Sequence, residues 1–342
     1  MKVYAWSPAT SLEDLGSVAK RVEELGYDGM GLGETASDVF IRLAIASQHT
    51  KKIKLLSDVA IVFPRSPMIV AYAAWEVHQL SGGRFELGIG TQVKGHIERR
   101  FSTEWSKPAL RIKDYAKALH AIFDCWQNDT PLDYKGEFYS FNLMNSLFKP
   151  AKSESGAPPP VFIGAINPNM LRVAAEAADG VLLHPFITNK WVKEVTIPNL
   201  TEGAKKAGKS LKDIEIEDMG FIVTGSTKDE VNEMRESLRI RLAFYATTRT
   251  YKPPLDLHGW GYVTDRLHDL SLRNQDYKAM AAEITDEMLD AFTISGTYDD
   301  IAEKIKSSGR FSHATRINFP FPKDENLDVK KFSKVIDDLK SI

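Results

Sequence analysis

The features that the sequence lacks are consistent with a globular protein of a reducing compartment. Its 342 residues contain one cysteine, so an intrachain disulfide is excluded. The formal net charge of −2 provides no excess of positive charge for nucleic acid. No apolar run reaches the roughly 18 residues of a membrane helix, and no basic segment precedes an apolar one at the N-terminus. We therefore expect a cytoplasmic protein that binds neither nucleic acid nor membranes.

Several motifs of catalytic chemistry are also missing. There is no H-E-x-x-H, no cysteine pair and no G-x-S-x-G, so neither a metal site nor a nucleophile elbow is predicted. Gly88-Ile89-Gly90 begins a dinucleotide-binding motif, but Val93 stands where its last glycine would be required. Cys125 lies in an apolar helical run and is expected to be a buried structural thiol.

The most informative stretch that is present runs from Leu80 to Thr91, LSGGRFELGIGT. It has the pattern of a helix end, a glycine stop at Gly82 or Gly83, and a short apolar strand. Gly88 and Gly90 lie near the carboxyl end of that strand, where a flat ligand could approach the backbone. Taken alone, the stretch is equally typical of any helix-to-strand connection in an α/β protein.

Strands and helices alternate along the whole chain, and eight such alternations favour a (β/α)₈ TIM barrel over a doubly wound sheet. We expect a single domain over residues 1–342, with an insertion at the barrel mouth near residues 244–291. The predicted strands are residues 2–6, 30–33, 54–62, 85–90, 160–165, 180–184, 214–224 and 315–319.

At this point the chain resembles the bacterial luciferase-like superfamily of flavin- and deazaflavin-dependent oxidoreductases. The resemblance covers nearly the whole chain and depends on the order and spacing of several fragments rather than on any one of them. The fragments are Ala19–Gly33, Arg65–Pro67, Ser81–Phe85, Gly88–Gly90, Ala178–Val181 and Ser295–Thr297. Thr91 to Phe101 is similar to a subfamily that uses the deazaflavin coenzyme F420 rather than FMN.

The resemblance implies an oxidoreductase that moves a hydride between coenzyme F420 and a small organic substrate. It also implies a homodimer, since dimers are common in the family. One alternative is an FMN-dependent monooxygenase, which needs a single phosphate pocket rather than a basic groove for a polyglutamyl tail. Another is a non-catalytic barrel that binds a flavin without turnover. Three ionisable groups at one mouth, Glu34, Asp58 and His184, argue against an inert binder.

Site residues are expected at the carboxyl ends of the strands, where ligands of such barrels bind. In the third strand, the resemblance implies a bulge with a cis peptide between Ser57 and Asp58 that supports one face of the ring. Asp58 departs from the small or apolar residue that is commoner there, and it adds a carboxylate beside the ring. Glu34, after the second strand, is either a general acid or base, or a group that only caps the next helix.

The fourth and later strands are expected to supply the remaining contacts. Gly90, Thr91 and Gln92 would contact the edge of the ring, and His96 would contact the ring or its ribityl chain. Lys94, Arg99 and Arg100 would face an anionic tail, although such clusters are usually solvated helix faces. Gly164, Ala165 and Asn167 precede a helix N-terminus, which binds anions, and are expected to hold the phosphate. His184 would point into the same cavity, and Trp260 and Tyr262 would shape the substrate pocket.

Overall fold

The barrel expected from the alternating pattern is present. The computed structural model describes residues 1–6, 11–273, 276–322 and 327–342, with the side chains of residues 272 and 273 left aside. Among these residues, eight parallel strands pair in sequence order and the eighth pairs with the first, which closes the sheet. The strands are β1 Lys2–Trp6, β2 Gly29–Leu32, β3 Lys54–Ser57 with its continuation Ala60–Ile61, β4 Phe85–Gly90, β5 Val161–Ala165, β6 Gly180–Leu183, β7 Glu215–Asp218 and β8 Arg316–Pro320.

Helices surround the barrel and bury their apolar faces against the outside of the strands. Those that alternate with the strands are Leu15–Glu24, Val39–His49, Pro67–Leu80, Pro108–Asn128, Pro168–Ala177, Ile197–Lys206, Ile301–Ser308 and Val329–Lys340. Shorter helical segments are Lys94–Arg99, Asn189–Trp191, the π-helix Val192–Thr196 and the 3₁₀ turn Leu211–Asp213. Two short strands, Tyr134–Lys135 and Ser140–Phe141, pair in antiparallel fashion and form a small hairpin. In the described part of the chain, no helix combines the length and apolar character needed to cross a membrane.

The stretch around Arg84 ends one helix and begins the next strand. Gly82 and Gly83 both have positive φ, 64° and 82°, as expected for a glycine stop. The Arg84 guanidinium donates to the carbonyls of Ser47, Thr50 and Ile53, which satisfies groups at the end of the helix Val39–His49 and in the loop after it. This stretch therefore fixes β4 against its neighbours at the end of the barrel opposite the mouth.

The seventh predicted strand, residues 214–224, is two strands in the structure. β7 ends at Asp218, and Phe221–Gly225 leaves the barrel to pair in parallel with Thr293–Thr297, a strand that was not predicted. Between these two strands the chain forms the roof, a helical region with its own apolar core. Its helical segments are Lys228–Ala246, Arg249–Tyr251 (3₁₀), Lys252–Asp256, Tyr262–Arg273, Tyr277–Ala282 and Asp286–Phe292.

Candidate active site

A bulge in β3 lies at the mouth of the barrel. Leu56 pairs with Glu86 of β4, whereas Ala60 pairs with Ile89, so three residues of β3 face two of β4. The cis peptide bond joins Asp58 and Val59.

The cis bond expected between Ser57 and Asp58 is therefore wrong by one position. Ser57 still pairs with Leu32 of β2, so the irregular backbone begins after it. Ser57 is buried, and its hydroxyl donates to the Gly88 carbonyl at 2.8 Å. The same oxygen accepts from the Gly88 amide at 2.9 Å. The Ser57 side chain thus joins β3 to β4 where the regular backbone pairing is interrupted. The backbone N–H and C=O groups of Gly88 both have hydrogen-bond partners within the protein.

Val59 fills the space that Gly90 and Gly164 leave open. A side chain at Gly90 would overlap Val59 Cγ2, and one at Gly164 would lie 3.4 Å from Val59 Cγ1. A side chain at Gly88 would overlap the Ser57 carbonyl. These glycines therefore make room for the bulge itself, and Val59, which is half-buried, forms an apolar surface at the mouth.

Asp58 contributes a carboxyl group whose Oδ2 is shielded from solvent and has no hydrogen-bond partner among the described residues. Its side chain approaches Gly31 of β2, where an added Cβ would lie 3.5 Å from Oδ2. Burial raises the pKa of Asp58 to about 7 against the opposing effect of Arg316. A carboxyl group with these properties can exchange a proton near neutral pH.

Glu34 is engaged in a different way. Its carboxylate accepts from both Nη atoms of Arg65, at 2.7 and 2.6 Å, and from the Ile61 amide at 2.7 Å. Arg65 also donates to Asp38, whose other oxygen caps the helix Val39–His49. We call Glu34, Arg65 and Asp38 the rim cluster. Helix capping, which was one of the two alternatives for Glu34, is performed by Asp38.

His184 follows β6 and is enclosed by rings of the roof. Burial lowers its pKa to about 3, so the ring is neutral. Its Nδ1 accepts from the Phe186 amide at 3.1 Å, which leaves the proton on Nε2. The ring centroid lies 4.5 Å from that of Tyr251 and 5.1 Å from that of Tyr245.

Tyr245 connects the two sides of the mouth and was missed by sequence reasoning. Its pKa is raised by burial and by the charge of Asp58, which places its hydroxyl within the electrostatic reach of that carboxyl group. Trp260, which was expected to shape the pocket, stacks on His258 with centroids 4.4 Å apart. Tyr262 is about half exposed beside Arg266. The sequence shows tyrosines near the start of the insertion, but it does not show which residue of the mouth each of them faces.

The residues after β4 form a compact turn. Gln92 has a φ of 58°, and its Oε1 accepts from the Val93 amide at 3.0 Å. The Thr91 hydroxyl donates to the Gln92 carbonyl at 2.8 Å. Gln92 Nε2 has no hydrogen-bond partner among the described residues and can bind a ligand edge.

His96 lies on the short helix Lys94–Arg99, beside a depression of about 290 Å³ that Gly95, Arg99 and Arg100 also line. Lys94 is 3.8 Å from Glu98, and Arg100 donates to the Thr35 carbonyl at 2.5 Å. The depression is lined by basic side chains, and Arg100 connects it to the segment that follows β2.

The predicted phosphate segment joins the barrel to the roof. Asn167 donates from Nδ2 to the Thr250 carbonyl at 2.9 Å, whereas its buried Oδ1 has no partner among the described residues. Its side chain forms no cap for the helix Pro168–Ala177. Ala165 is buried and accepts from the His184 amide at 3.0 Å. Backbone donors at this helix start therefore remain available for an anion.

These observations fit a flat cofactor. Val59 offers an apolar face, and one oxygen of the Asp58 carboxyl group has no partner among the described residues. A helix start follows β5, and a basic depression lies beside the short helix after β4. In the part of the chain that the structure describes, no group of histidine, cysteine or acidic side chains is arranged to hold a metal ion.

Comparison with known proteins agrees with this arrangement. A model of the luciferase-like monooxygenase family matches residues 2–311. An uncharacterized protein of Mycobacterium tuberculosis is 37% identical over 84% of this chain and 84% of its own length. The 5,10-methylenetetrahydromethanopterin reductase of Archaeoglobus fulgidus is 31% identical over 87% of this chain and 86% of its own length.

Solved structures show the same fold. The coenzyme F420 dependent tetrahydromethanopterin reductase of Methanopyrus kandleri superimposes with a TM-score of 0.80 at 21% identity, covering 99% of this chain and 98% of that one. The FMN complex of the oxygenating constituent of 3,6-diketocamphane monooxygenase from Pseudomonas putida gives 0.65 at 16% identity, covering 99% and 96%.

Proposed function

Since this chain belongs to the luciferase-like monooxygenase family of oxidoreductases, we propose that it is a coenzyme F420-dependent enzyme that transfers a hydride between the deazaflavin and a small organic substrate. The observation that carries the proposal is the buried, unpartnered Oδ2 of Asp58 beside the apolar surface of Val59. Hydride transfer to a carbonyl or imine carbon needs a proton at the adjacent heteroatom, and Asp58 provides one.

Two findings favour F420 over FMN. The relative from Archaeoglobus fulgidus is a 5,10-methylenetetrahydromethanopterin reductase, and the solved enzyme of that kind from Methanopyrus kandleri is described as F420 dependent. The basic depression formed by His96, Arg99 and Arg100 suits a polyanionic tail. The FMN-bound structure with the same fold keeps an FMN-dependent monooxygenase as the second candidate.

Different residues of the chain bind the cofactor, hold the exchangeable proton and exclude water in this proposal. When bound, the cofactor supplies the hydride at C5 of its ring. Val59 and the glycines beneath it support one ring face, and Gln92 and Asn167 offer polar contacts near the ends of β4 and β5. Asp58 holds the exchangeable proton. Neutral His184, with Tyr245 and Tyr251, encloses the opposite side of the mouth and limits water.

The rim cluster has a supporting role in this proposal. Glu34 is bound by Arg65 and the Ile61 amide and therefore holds β2 against the loop after β3, rather than exchanging a proton. A homodimer and a cytoplasmic location remain predictions from the sequence.

A binding titration tests the cofactor. The purified protein is titrated with coenzyme F420 and with FMN while the fluorescence of each ring is followed. We expect F420 to bind at least about tenfold more tightly, a difference of about 1.4 kcal/mol. Arg99→Gln should weaken F420 more than FMN, because only F420 carries the long anionic tail. Tight FMN binding with undetectable F420 binding would instead support the monooxygenase.

A substitution tests the role of Asp58. Asp58→Asn should lower kcat by about 10²–10⁴-fold, the range for loss of a general acid or base. Its affinity for F420 should change far less, because the amide keeps the size of the carboxyl group. Asp38→Asn is the matched control, since it removes a carboxylate of the rim cluster and keeps the helix cap. Equal losses in both variants would contradict the assignment, and retained F420 binding without any turnover in the wild type would indicate a non-catalytic binder.

A further inference from the structure

Three aromatic side chains at the mouth of the barrel also carry hydrogen-bond donors. They are His184, which follows β6, and Tyr245 and Tyr251, which belong to helical segments of the roof. The centroid of the Tyr245 ring lies 5.1 Å from that of His184 and 6.1 Å from that of Tyr251, and the His184 and Tyr251 centroids are 4.5 Å apart. We call these three mutually contacting residues the aromatic triad.

The strands direct the triad and Asp58 toward the same space. Side chains two residues apart in a strand point to the same side of the sheet. Leu56 of β3 and Leu182 of β6 belong to one small apolar cluster inside the barrel, against which Val59 also packs. Asp58 and His184 each come two residues after one of these leucines. The triad therefore faces Asp58 and Val59 across the mouth.

The residues behind the triad hold its rings in place. Phe186 is buried, and its ring centroid lies 5.9 Å from that of Tyr245, 6.1 Å from that of Tyr251 and 4.6 Å from that of Phe292. The Phe186 amide also donates to His184 Nδ1 at 3.1 Å, which leaves the imidazole proton on Nε2. The triad is thus organised before any ligand binds, which lowers the entropic cost of binding.

Each ring of the triad ends in a donor that has no partner within the protein. His184 Nε2 and the hydroxyl groups of Tyr245 and Tyr251 form no hydrogen bond with any residue that the structure describes, and, unlike Asp58 Oδ2, they are not shielded from solvent. Burial lowers the pKa of His184 to about 3 and, with the nearby Tyr245, raises that of Tyr251 to about 12. At neutral pH the triad therefore offers one N–H and two O–H donors, all of them uncharged.

We propose that the aromatic triad binds an uncharged carbonyl oxygen of a planar compound whose body packs against the three rings. Uncharged donors suit an uncharged acceptor, and aromatic side chains offer a large contact area to a flat body. That this compound is the substrate rests on the function proposed above. The substrate then carries this carbonyl in addition to the group that is reduced, since Asp58 serves that group from the other side of the mouth.

The charges around the triad favour a neutral ligand over an anion. Arg241 is a cation that acts on Tyr245, but it is exposed and its guanidinium lies 5.2 Å from the centroid of the Trp6 ring. An ion pair with an exposed arginine contributes little. Arg65 is already paired with two carboxylates of the rim cluster. A carboxylate bound by the triad would also meet the charge of Asp58, which, after burial, raises the pKa of Tyr245.

Binding of matched small molecules to the cofactor-free protein tests the proposal. Acetophenone is planar and has one carbonyl oxygen, α-methylstyrene has a methylene group in place of that oxygen, and benzoate has the same ring with a charge. Dissociation constants are measured by ligand-observed NMR titration. Tyr245→Phe and Tyr251→Phe should each weaken acetophenone by about 3–10-fold, because each removes one hydrogen bond and keeps the ring. The affinity for α-methylstyrene should stay within about twofold, since it accepts no hydrogen bond.

Benzoate tests the charge of the ligand. It should bind the wild type at least about threefold more weakly than acetophenone, because its carboxylate would lose hydration without gaining a buried cation.

Tyr277→Phe is the matched control. Tyr277 is a half-exposed tyrosine of the roof outside the triad, and the same loss of a hydroxyl there should change neither acetophenone nor α-methylstyrene binding. The tyrosines are better test positions than His184, because replacing the imidazole would also leave the Phe186 amide without its acceptor.

Three outcomes would overturn the proposal. They are acetophenone that shows no binding to the wild type up to its solubility, tyrosine variants that leave acetophenone unchanged or weaken both neutral ligands equally, and benzoate that binds more tightly than acetophenone. A merely structural role for the hydroxyl groups would not separate acetophenone from α-methylstyrene. If one tyrosine variant does not fold, the other still provides this comparison. Since no cofactor is present, a failure to bind F420 would affect only the function proposed above.

Discussion

The rim cluster differs from a second group of charged side chains, which is buried inside the barrel and which we call the axial cluster. The axial cluster consists of Tyr4, Glu86, Glu217, Arg316 and Asn318. In each, one arginine faces two or more carboxylates, but the number of donors differs. Glu34 receives three hydrogen bonds, and Asp38 receives one from Arg65 and two from the first amides of a helix. In the axial cluster, Glu86 receives two hydrogen bonds and Glu217 one, whereas Oδ2 of Asp58, at the mouth, receives none from the described residues. The rim cluster also reaches solvent, with 24% of the Arg65 side chain and 37% of the Asp38 side chain exposed, whereas Arg316 is fully buried.

This difference separates an anchoring role from a chemical one. Backbone amides and solvent absorb the excess negative charge of the rim cluster, so its carboxylates hold two loops together. The carboxylates of the axial cluster instead depend on buried side-chain donors alone. An acid for catalysis is therefore to be sought where a carboxyl group lacks donors, rather than where an ion pair is most complete.

The largest effect should come from removing the buried arginine. Arg316→Met leaves Glu86 and Glu217 without their cation and should lower the free energy of unfolding by about 3–5 kcal/mol. Arg65→Met, the matched variant in the rim cluster, should lose about 1–2 kcal/mol, because amides and water still reach its partners. Urea unfolding of both variants measures the difference, with Arg316→Lys as an intermediate that keeps the charge. Equal losses would remove the distinction between the clusters.

Ionisation of Asp58 should make the free energy of unfolding depend on pH. Its pKa is about 4 in the unfolded chain and about 7 in the folded protein, so the folded state binds the proton more tightly. The resulting stabilisation is complete below pH about 4 and is lost as the pH rises toward about 7. Relative to Asp58→Asn, the wild type should lose up to about 1.4 kcal/mol per pH unit in this window.

Above this window Asp58→Asn should be the more stable protein. Because the group is buried, about 0.5 M salt should change this slope little, which separates it from surface charge effects. Urea unfolding at pH 4, 5.5, 7 and 8.5 measures the difference between the two proteins. Parallel curves would show that Asp58 ionises alike in both states and would contradict its donor-poor environment.

Much of the fold could be predicted because it depends on local patterns. The alternation of strands and helices identified all eight barrel strands, and β4, Phe85–Gly90, has the predicted bounds. The bulge in β3 was expected, but the cis bond was placed one residue early. Its position depends on how far the β2–β3 ladder continues, and Ser57 extends it by one residue through contacts that sequence does not display.

The site was less accessible to sequence reasoning. Gly90 was expected to face a ligand, but it makes room for Val59, a contact between strands that no local pattern encodes. Glu86, Glu217 and Arg316 were missed, although a signal existed. A charged residue within a strand of a parallel barrel is unusual, because such strands are buried on both faces. Which of these charges meet depends on barrel closure, and pairing between β7 and β8 decides it.

The smallest effect on the free energy of unfolding is expected for Glu34→Gln. This variant directly compares the rim cluster with the axial cluster. The amide keeps an oxygen for the Ile61 amide but loses the ion pair with Arg65, so the free energy of unfolding should fall by only about 1 kcal/mol. The carboxyl titration of Asp58 should keep its wild-type midpoint, because Arg65 retains Asp38 as a partner and the axial cluster is untouched. Urea unfolding tests the first expectation, and NMR titration of ¹³C-labelled aspartate carboxyl groups tests the second. A shift of the Asp58 midpoint by about one pH unit or more would show that Glu34 is coupled to Asp58. Glu34 would then return as the proton-exchanging group that its position after β2 first indicated.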